Sequence, residues 1–151
     1  LRALVAGKVV TYQVTLPEGI TLGQALDLLS NAEALDQVLE GVNDEKLLGL
    51  AGDRPTAEGL FLPESYRYER GDSDWDILQR AHAALNETLA RGWQGREDNL
   101  PYESPYEALI MASVIERETG LPRERGEIAG VFVRRIWTRW RARACGSPMR
   151  S

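Results

Sequence analysis

Two glutamates near the end of an uncharged stretch are the residues best suited to catalysis. Glu116 and Glu118 follow residues 108–115, which carry no charged side chain. Two residues apart on an α-helix, their side chains point roughly 200° apart, so one can face a cleft while the other meets solvent. The negative end of the helix dipole and desolvation by apolar walls both favour a protonated carboxyl group, as a general acid for glycosidic cleavage requires.

The spacing alone leaves a structural interpretation of this pair open. Both glutamates could form a charged helix terminus that pairs with Arg117, Arg123 or Arg125. Other chemistries have less support, because the single His82 and the single cysteine have no spacing typical of a catalytic triad or a zinc site. Phosphate-loop and dinucleotide-binding motifs are missing as well, so the sequence predicts neither a metal nor a cofactor.

The helix that positions the two glutamates has a clear start signal. Residues 104–107, Ser-Pro-Tyr-Glu, form a capping box with proline at the first helical position. The helix is predicted to continue to Thr119, before Gly120 and Pro122 close it. Because its body is apolar nearly all round, we expect it to be buried centrally.

The first fifty residues predict a small α+β subdomain. Residues 9–16 are rich in β-branched side chains and predict a strand, which a turn at 17–19 ends. Thr21 can cap a following helix. Shorter helices are predicted at 32–39 and 44–51.

The second part of the chain is mainly helical by its apolar spacing. A linker is predicted at 52–55, followed by a loop or edge strand at 58–68. Residues 72–74 offer caps for a long helix that we expect Gly92 to end. A further helix is predicted at 123–136.

The charge of the chain is unevenly distributed. Its 151 residues carry a net charge of −5, with 43% hydrophobic and 27% charged residues, as in ordinary globular proteins. No acidic residue follows Glu127, whereas six arginines do, and two tryptophans, Trp137 and Trp140, lie among them. Such a basic end could bind a polyanion such as nucleic acid.

Several segments in a consistent order resemble one family. Residues 111–120, MASVIERETG, are similar to the signature segment of the YceG-like endolytic murein transglycosylases. Residues 58–66, EGLFLPESY, resemble another stretch of that family. Further similar segments lie at 16–19, 78–82, 93–96 and 124–136, so that the resemblance covers residues 9–136.

The resemblance implies a fold, a domain order and a set of site residues. The fold is α+β, with a LysM-like subdomain at 1–51 and a mainly helical, incomplete catalytic domain at 52–136. Glu118 is the catalytic residue that the family pattern implies.

Four supporting residues accompany this glutamate. Glu64 and Tyr66 could hydrogen-bond sugar hydroxyls or orient the acid, or they could pin their loop structurally. Arg125 could pair with Glu116 and stabilise the junction between two helices.

The implied reaction is lytic cleavage of the MurNAc–GlcNAc bond of peptidoglycan, which leaves 1,6-anhydro-MurNAc ends and needs neither metal nor cofactor. The partners are then glycan strands, with peptidoglycan synthases as further candidates and no nucleic acid. The location is the periplasmic face of the inner membrane. Non-catalytic peptidoglycan-binding modules and inactive fragments are the alternatives.

Both ends depart from the family pattern. The resemblance implies a membrane-spanning helix before residue 1 and a longer C-terminal part. Residues 137–151 match no part of the family pattern. A frameshift at the gene end would produce this arginine-rich tail, and we favour that origin over nucleic-acid binding. We therefore expect residues 1–151 alone to be a poor enzyme.

Overall fold

The structure, a computed structural model, describes residues 10–96 and 100–118. The chain divides into two compact units, Leu1–Glu87 and Thr88–Ser151. Helices combined with a small antiparallel sheet confirm the predicted α+β class. The described elements are β1 (Thr11–Thr15), α1 (Leu22–Ser30), α2 (Glu45–Ala51), β2 (Ser65–Glu69), α3 (Asp74–Gln94) and α4 (Pro105–Glu118).

The sheet joins two strands that are far apart in sequence. Strands β1 and β2 pair antiparallel, with Tyr12 opposite Tyr68 and Val14 opposite Tyr66. The rings of Tyr12 and Tyr68 stack with their centroids 5.6 Å apart. The Tyr68 hydroxyl then donates to the Glu33 carbonyl at 2.7 Å, so the sheet is also tied to the segment that follows α1.

The first compact unit extends past the predicted subdomain boundary at residue 51. Strand β1 obtains its only described partner strand from Ser65–Glu69, and the unit continues to Glu87. Residues on both sides of position 51 therefore build one sheet. The assignment of 1–51 as LysM-like and 52–136 as catalytic stays a prediction.

Helix α1 follows the predicted cap and the predicted apolar face. The Thr21 hydroxyl accepts from the Gln24 amide at 3.2 Å, and the Gln24 side chain accepts from the Thr21 amide at 2.9 Å. This reciprocal capping box satisfies two amides that the first helical turn leaves unpaired. The buried face of the helix consists of Leu22, Ala25 and Leu29.

The core of the first unit is built from α1, α2 and α3. Leu29, Leu47, Ile77 and Leu78 have no exposed surface. Burying a side chain of this size contributes roughly 1.5–3 kcal/mol relative to leaving it in water. The core therefore depends on residues from three helices that are separated in sequence by long loops.

The helix predicted at 32–39 is absent, and that prediction was wrong. The segment starts with a turn that contains Ala34, at a φ of 61°, and only the stretch after it is extended. There the Asp36 carbonyl accepts from the Asp74 amide at 2.9 Å. The Asp74 carboxylate accepts from the amides of Val38 and Leu39 at 3.0 and 3.3 Å. Because these amides are used by a distant residue, they are not available for a local helix.

Helix α3 begins where the sequence predicts and ends slightly later. The Asp76 carboxylate accepts from both the hydroxyl and the amide of Ser73, at 2.7 and 2.8 Å. The hydrogen bond from the Ser73 hydroxyl is the largest of the effects that lower the pKa of Asp76. The helix continues past Gly92 to Gln94, since a glycine near a helix end weakens the helix without terminating it.

Asp74 supplies a direct test of the contact between α3 and the extended segment. Its side chain is 2% exposed and accepts three amides, from Val38, Leu39 and Trp75. Asp74→Asn replaces one acceptor oxygen by a donor, so we expect the free energy of unfolding to fall by about 1–3 kcal/mol. Urea unfolding followed by circular dichroism measures this loss. The exposed Asp53→Asn is the control, and an equal effect of both substitutions would contradict this account.

Candidate functional site

Helix α4 carries the two glutamates and starts at the predicted cap. The Ser104 hydroxyl accepts from the Glu107 amide at 3.3 Å. The Glu107 carboxylate reaches back to the amide of Glu103 at 2.7 Å. Pro105 is the first helical residue, and the described part of the helix ends at Glu118.

The predicted central burial of α4 was wrong. None of its residues is buried, and Ile110 and Val114 are 48% and 36% exposed. An apolar surface that runs round a helix is buried only if other elements cover it on several sides. The other described residues of this unit are the end of α3 and the short segment 100–104, which cannot cover such a surface.

Glu116 and Glu118 are both exposed on the last turn of α4. The cleft with apolar walls that we expected around Glu118 is therefore not formed by the described residues. Arg117 stands between the two glutamates, where a cation complements the negative end of the helix dipole. The catalytic role of Glu118 and the supporting role of Glu116 stay predictions.

The loop formed by residues 58–64 is tied to α3 through its backbone. The Leu62 amide donates to the Ala81 carbonyl at 3.1 Å. The Nδ1 atom of His82 lies 3.0 Å from the Leu60 carbonyl oxygen. Two anchors within three residues leave this part of the loop little freedom, so it is a preorganised surface.

Tyr66 closes the same loop from its other end. Its hydroxyl donates to the Leu62 carbonyl at 2.6 Å. Burial raises the pKa of Tyr66 from 10.0 to about 12, and the nearby charge of Glu64 adds to this shift. In this geometry the hydroxyl holds the loop, while the exposed Glu64 side chain faces solvent.

A pocket lies between the loop and the start of α1. It is lined by Leu16, Pro17, Gly19, Ile20, Thr21, Leu22, Ala25, Glu58, Gly59, Phe61 and Pro63. Glu58 is its only charged lining residue, and its Oε2 atom accepts from the Leu22 amide at 2.9 Å. This hydrogen bond joins the segment at 16–22 to the loop across 36 positions of sequence.

The sequence predicts no separate site role for Glu58, Phe61 or His82. Glu58 and Phe61 are members of a motif, and His82 is a lone histidine. In the structure the His82 ring meets the Phe61 ring edge to face, with centroids 6.3 Å apart. The available signal was that all three lie in segments that resemble one family.

Residues 10–96 and 100–118 contain no group of three or more His, Cys, Asp or Glu residues that is placed to hold a metal ion. The same part of the chain contains no helix that is long and apolar enough to cross a membrane. Arg125 and the helix predicted at 123–136 lie outside the described residues.

Comparison with known families shows which family the chain belongs to. The sequence model of the YceG-like family matches residues 1–146. The chain belongs to the YceG-like family. No curated protein matches it. The family match extends beyond residues 9–136 at both ends and includes most of the arginine-rich segment that we expected to fall outside.

The site residues of this YceG-like chain are divided between its two units. Glu64 and Tyr66 lie together in the first unit, beside the pocket that contains Glu58. Glu116 and Glu118 share one helix in the second unit.

The Tyr66 hydroxyl gives a pH-dependent prediction. Its folded pKa of about 12 lies above the ordinary value of 10.0, so the neutral form stabilises the fold. This contribution is complete below the unfolded pKa and is lost as the pH rises through the folded pKa. Tyr66→Phe should cost about 0.5–1.5 kcal/mol at neutral pH and weaken the alkaline loss of stability. Urea unfolding across this pH range checks both effects.

The same substitution should remove the most alkaline tyrosinate transition in an absorbance titration. Tyr12→Phe serves as the matched control, because it keeps its ring in the sheet and leaves the Tyr66 hydrogen bond intact. Survival of the most alkaline transition in Tyr66→Phe would assign it to another tyrosine and contradict the role of this hydrogen bond.

Proposed function

We propose that the protein is a lytic transglycosylase of peptidoglycan, with Glu118 as its acid and base. Membership of the YceG-like family is the observation that carries this proposal. The Glu-Arg-Glu segment at 116–118 supports it, because it lies within the stretch at 111–120 that resembles the family's signature segment. The reaction cleaves the MurNAc–GlcNAc bond within glycan strands.

The chemistry needs one carboxyl group that first donates and then recovers a proton. Protonated Glu118 gives its proton to the oxygen linking C1 of MurNAc to GlcNAc, and that C–O bond breaks through an oxocarbenium-like state. The resulting carboxylate takes the proton of the MurNAc 6-hydroxyl. The freed oxygen bonds to C1, and the product is a 1,6-anhydro end formed without water.

The helix geometry separates the roles of the two glutamates. Glu116 and Glu118 point roughly 200° apart around α4, so the same glycosidic oxygen cannot contact both side chains. A single acting carboxyl group agrees with a lytic reaction, which has no second catalytic carboxylate. Glu118 is also exposed, so a polymer can reach it, and the bound polymer would supply part of the desolvation that protonation requires.

The remaining parts of the proposal follow from this reaction. The ligand is the peptidoglycan glycan strand, and the place of action is the periplasmic face of the inner membrane. Peptidoglycan synthases are candidate partners, because newly made strands are the substrate that an endolytic enzyme meets there. Glu64 and Arg125 are proposed to support substrate binding and the helix junction, respectively.

Paired substitutions in the full-length protein test the assignment of Glu118. Glu118→Gln is nearly isosteric but cannot donate and recover a proton, so cleavage of purified sacculi should fall by roughly 10²–10⁴-fold. Glu116→Gln is the matched control on the same helix turn and should have a much smaller effect. Mass spectrometry of the released fragments counts anhydro-MurNAc ends, and circular dichroism verifies that each variant is folded.

Two results of this experiment would contradict the mechanism. Reducing ends in place of anhydro ends would make the protein a hydrolase. Equal losses in both variants would remove Glu118 from its special role, since only one of the two side chains can face the bond.

A non-catalytic peptidoglycan-binding module is the second candidate. The exposure of Glu118 favours it, because no apolar walls among the described residues prepare this carboxyl group for acid catalysis. In that case the wild-type protein would sediment with sacculi and release no fragments. The same digestion therefore distinguishes the two candidates.

A further inference from the structure

The pocket of the first unit combines an apolar floor with one carboxylate. Leu16, Leu22 and Ala25 form its buried base, with exposed fractions of 3%, 3% and 5%. Phe61 is one of its apolar walls, and Glu58 brings the only charge. The pocket is small and open to solvent, with a cavity volume of about 50 Å³, so it suits the end of one side chain rather than a polymer.

The part of the chain that contains this pocket carries a strongly negative net charge. Residues 10–87 contain fifteen Asp and Glu against five Lys and Arg. Glu18 and Glu64 each adjoin a lining proline in the sequence, and no lining residue is basic. A field of this sign attracts cations and repels anions, so the pocket is complementary to a positively charged ligand.

The carboxylate is held in position before any ligand arrives. Oε2 of Glu58 accepts from the Leu22 amide, and Oε1 has no hydrogen bond among the described residues. The Phe61 wall is equally constrained, because its neighbours Leu60 and Leu62 are hydrogen-bonded to α3. A preorganised acceptor beside a fixed apolar wall lowers the entropic cost of binding.

We propose that this pocket binds an unbranched aliphatic chain that ends in an ammonium group. The methylene groups would pack on the apolar floor beside Phe61, and the ammonium would donate to Oε1 of Glu58. One ligand would then contact both the apolar floor and the carboxylate of the pocket. The natural source is the amino-bearing side chain of the diamino acid in the peptide stem, and this identification of the source rests on the proposed function.

A pair of small probes tests the proposal in the wild-type protein. An Nα-acetylated lysine amide should shift the amide resonances of Leu22 and Phe61 in a two-dimensional NMR titration. Acetylation of its ε-amine removes the charge, so the affinity should fall at least about 5-fold. Equal binding of both probes would show a merely apolar pocket and overturn the proposal, as would the absence of any shift.

Variants then assign the charge to one residue. Glu58→Gln keeps an acceptor for the Leu22 amide but removes the negative charge, so the lysine probe should bind about 3–10-fold more weakly. Glu40→Gln removes an equal charge from an exposed position outside the pocket and should leave the affinity nearly unchanged. Equal losses in both variants would reduce the effect to the general charge of the unit and contradict a site at Glu58.

The source of the amine is tested with sacculi. Chemical acetylation of the stem amines should weaken co-sedimentation of the full-length protein, and the Glu58→Gln variant should lose this sensitivity. Unchanged sedimentation would overturn the stem as the source. Shifts of the same resonances by an N-acetylglucosamine tetramer, without any response to the lysine probe, would instead assign the pocket to the glycan.

Cleavage without amine binding contradicts this inference alone, whereas amine binding without cleavage contradicts the proposed function alone.

Discussion

The buried carboxylate of Asp74 is the contact on which the arrangement of the first unit depends. It accepts amides from Val38 and Leu39 in the extended segment and from Trp75 at the start of α3. A buried carboxylate is costly unless its oxygens are hydrogen-bonded, and here three amides share that function. The contact therefore sets where α3 begins relative to the chain that leaves α1, and the core between these helices follows from it.

The same principle applies at the pocket. The Glu58 carboxylate accepts an amide at the start of α1, as the Asp74 carboxylate accepts amides of the extended segment. Each is an acidic side chain that accepts amides about 36 residues earlier in the chain. Such bonds connect backbone segments that lie outside the two-stranded sheet. They also explain how a short sheet can accompany a well-ordered loop, because the loop is held by side chains and by the backbone of α3 rather than by a larger sheet.

Local signals predicted the parts of the fold that depend on a few neighbouring residues. The predicted caps at Thr21 and Ser104 were confirmed, because a side chain and an amide three residues away need no tertiary contact to meet. The family relationship was also readable from ordered motifs. Glu58 could not be recognised as a pocket residue in this way, since its partner amide is distant in sequence.

The sequence by itself determined the α+β class, the start of each capped helix and the membership of the YceG-like family. Only the tertiary structure decided that residues 32–39 are not a helix, because the amides of Val38 and Leu39 bind a carboxylate that is distant in sequence. It also decided that α4 is exposed in the described part of its unit. Burial is a property of the partners that surround a helix, and apolar composition alone does not specify those partners.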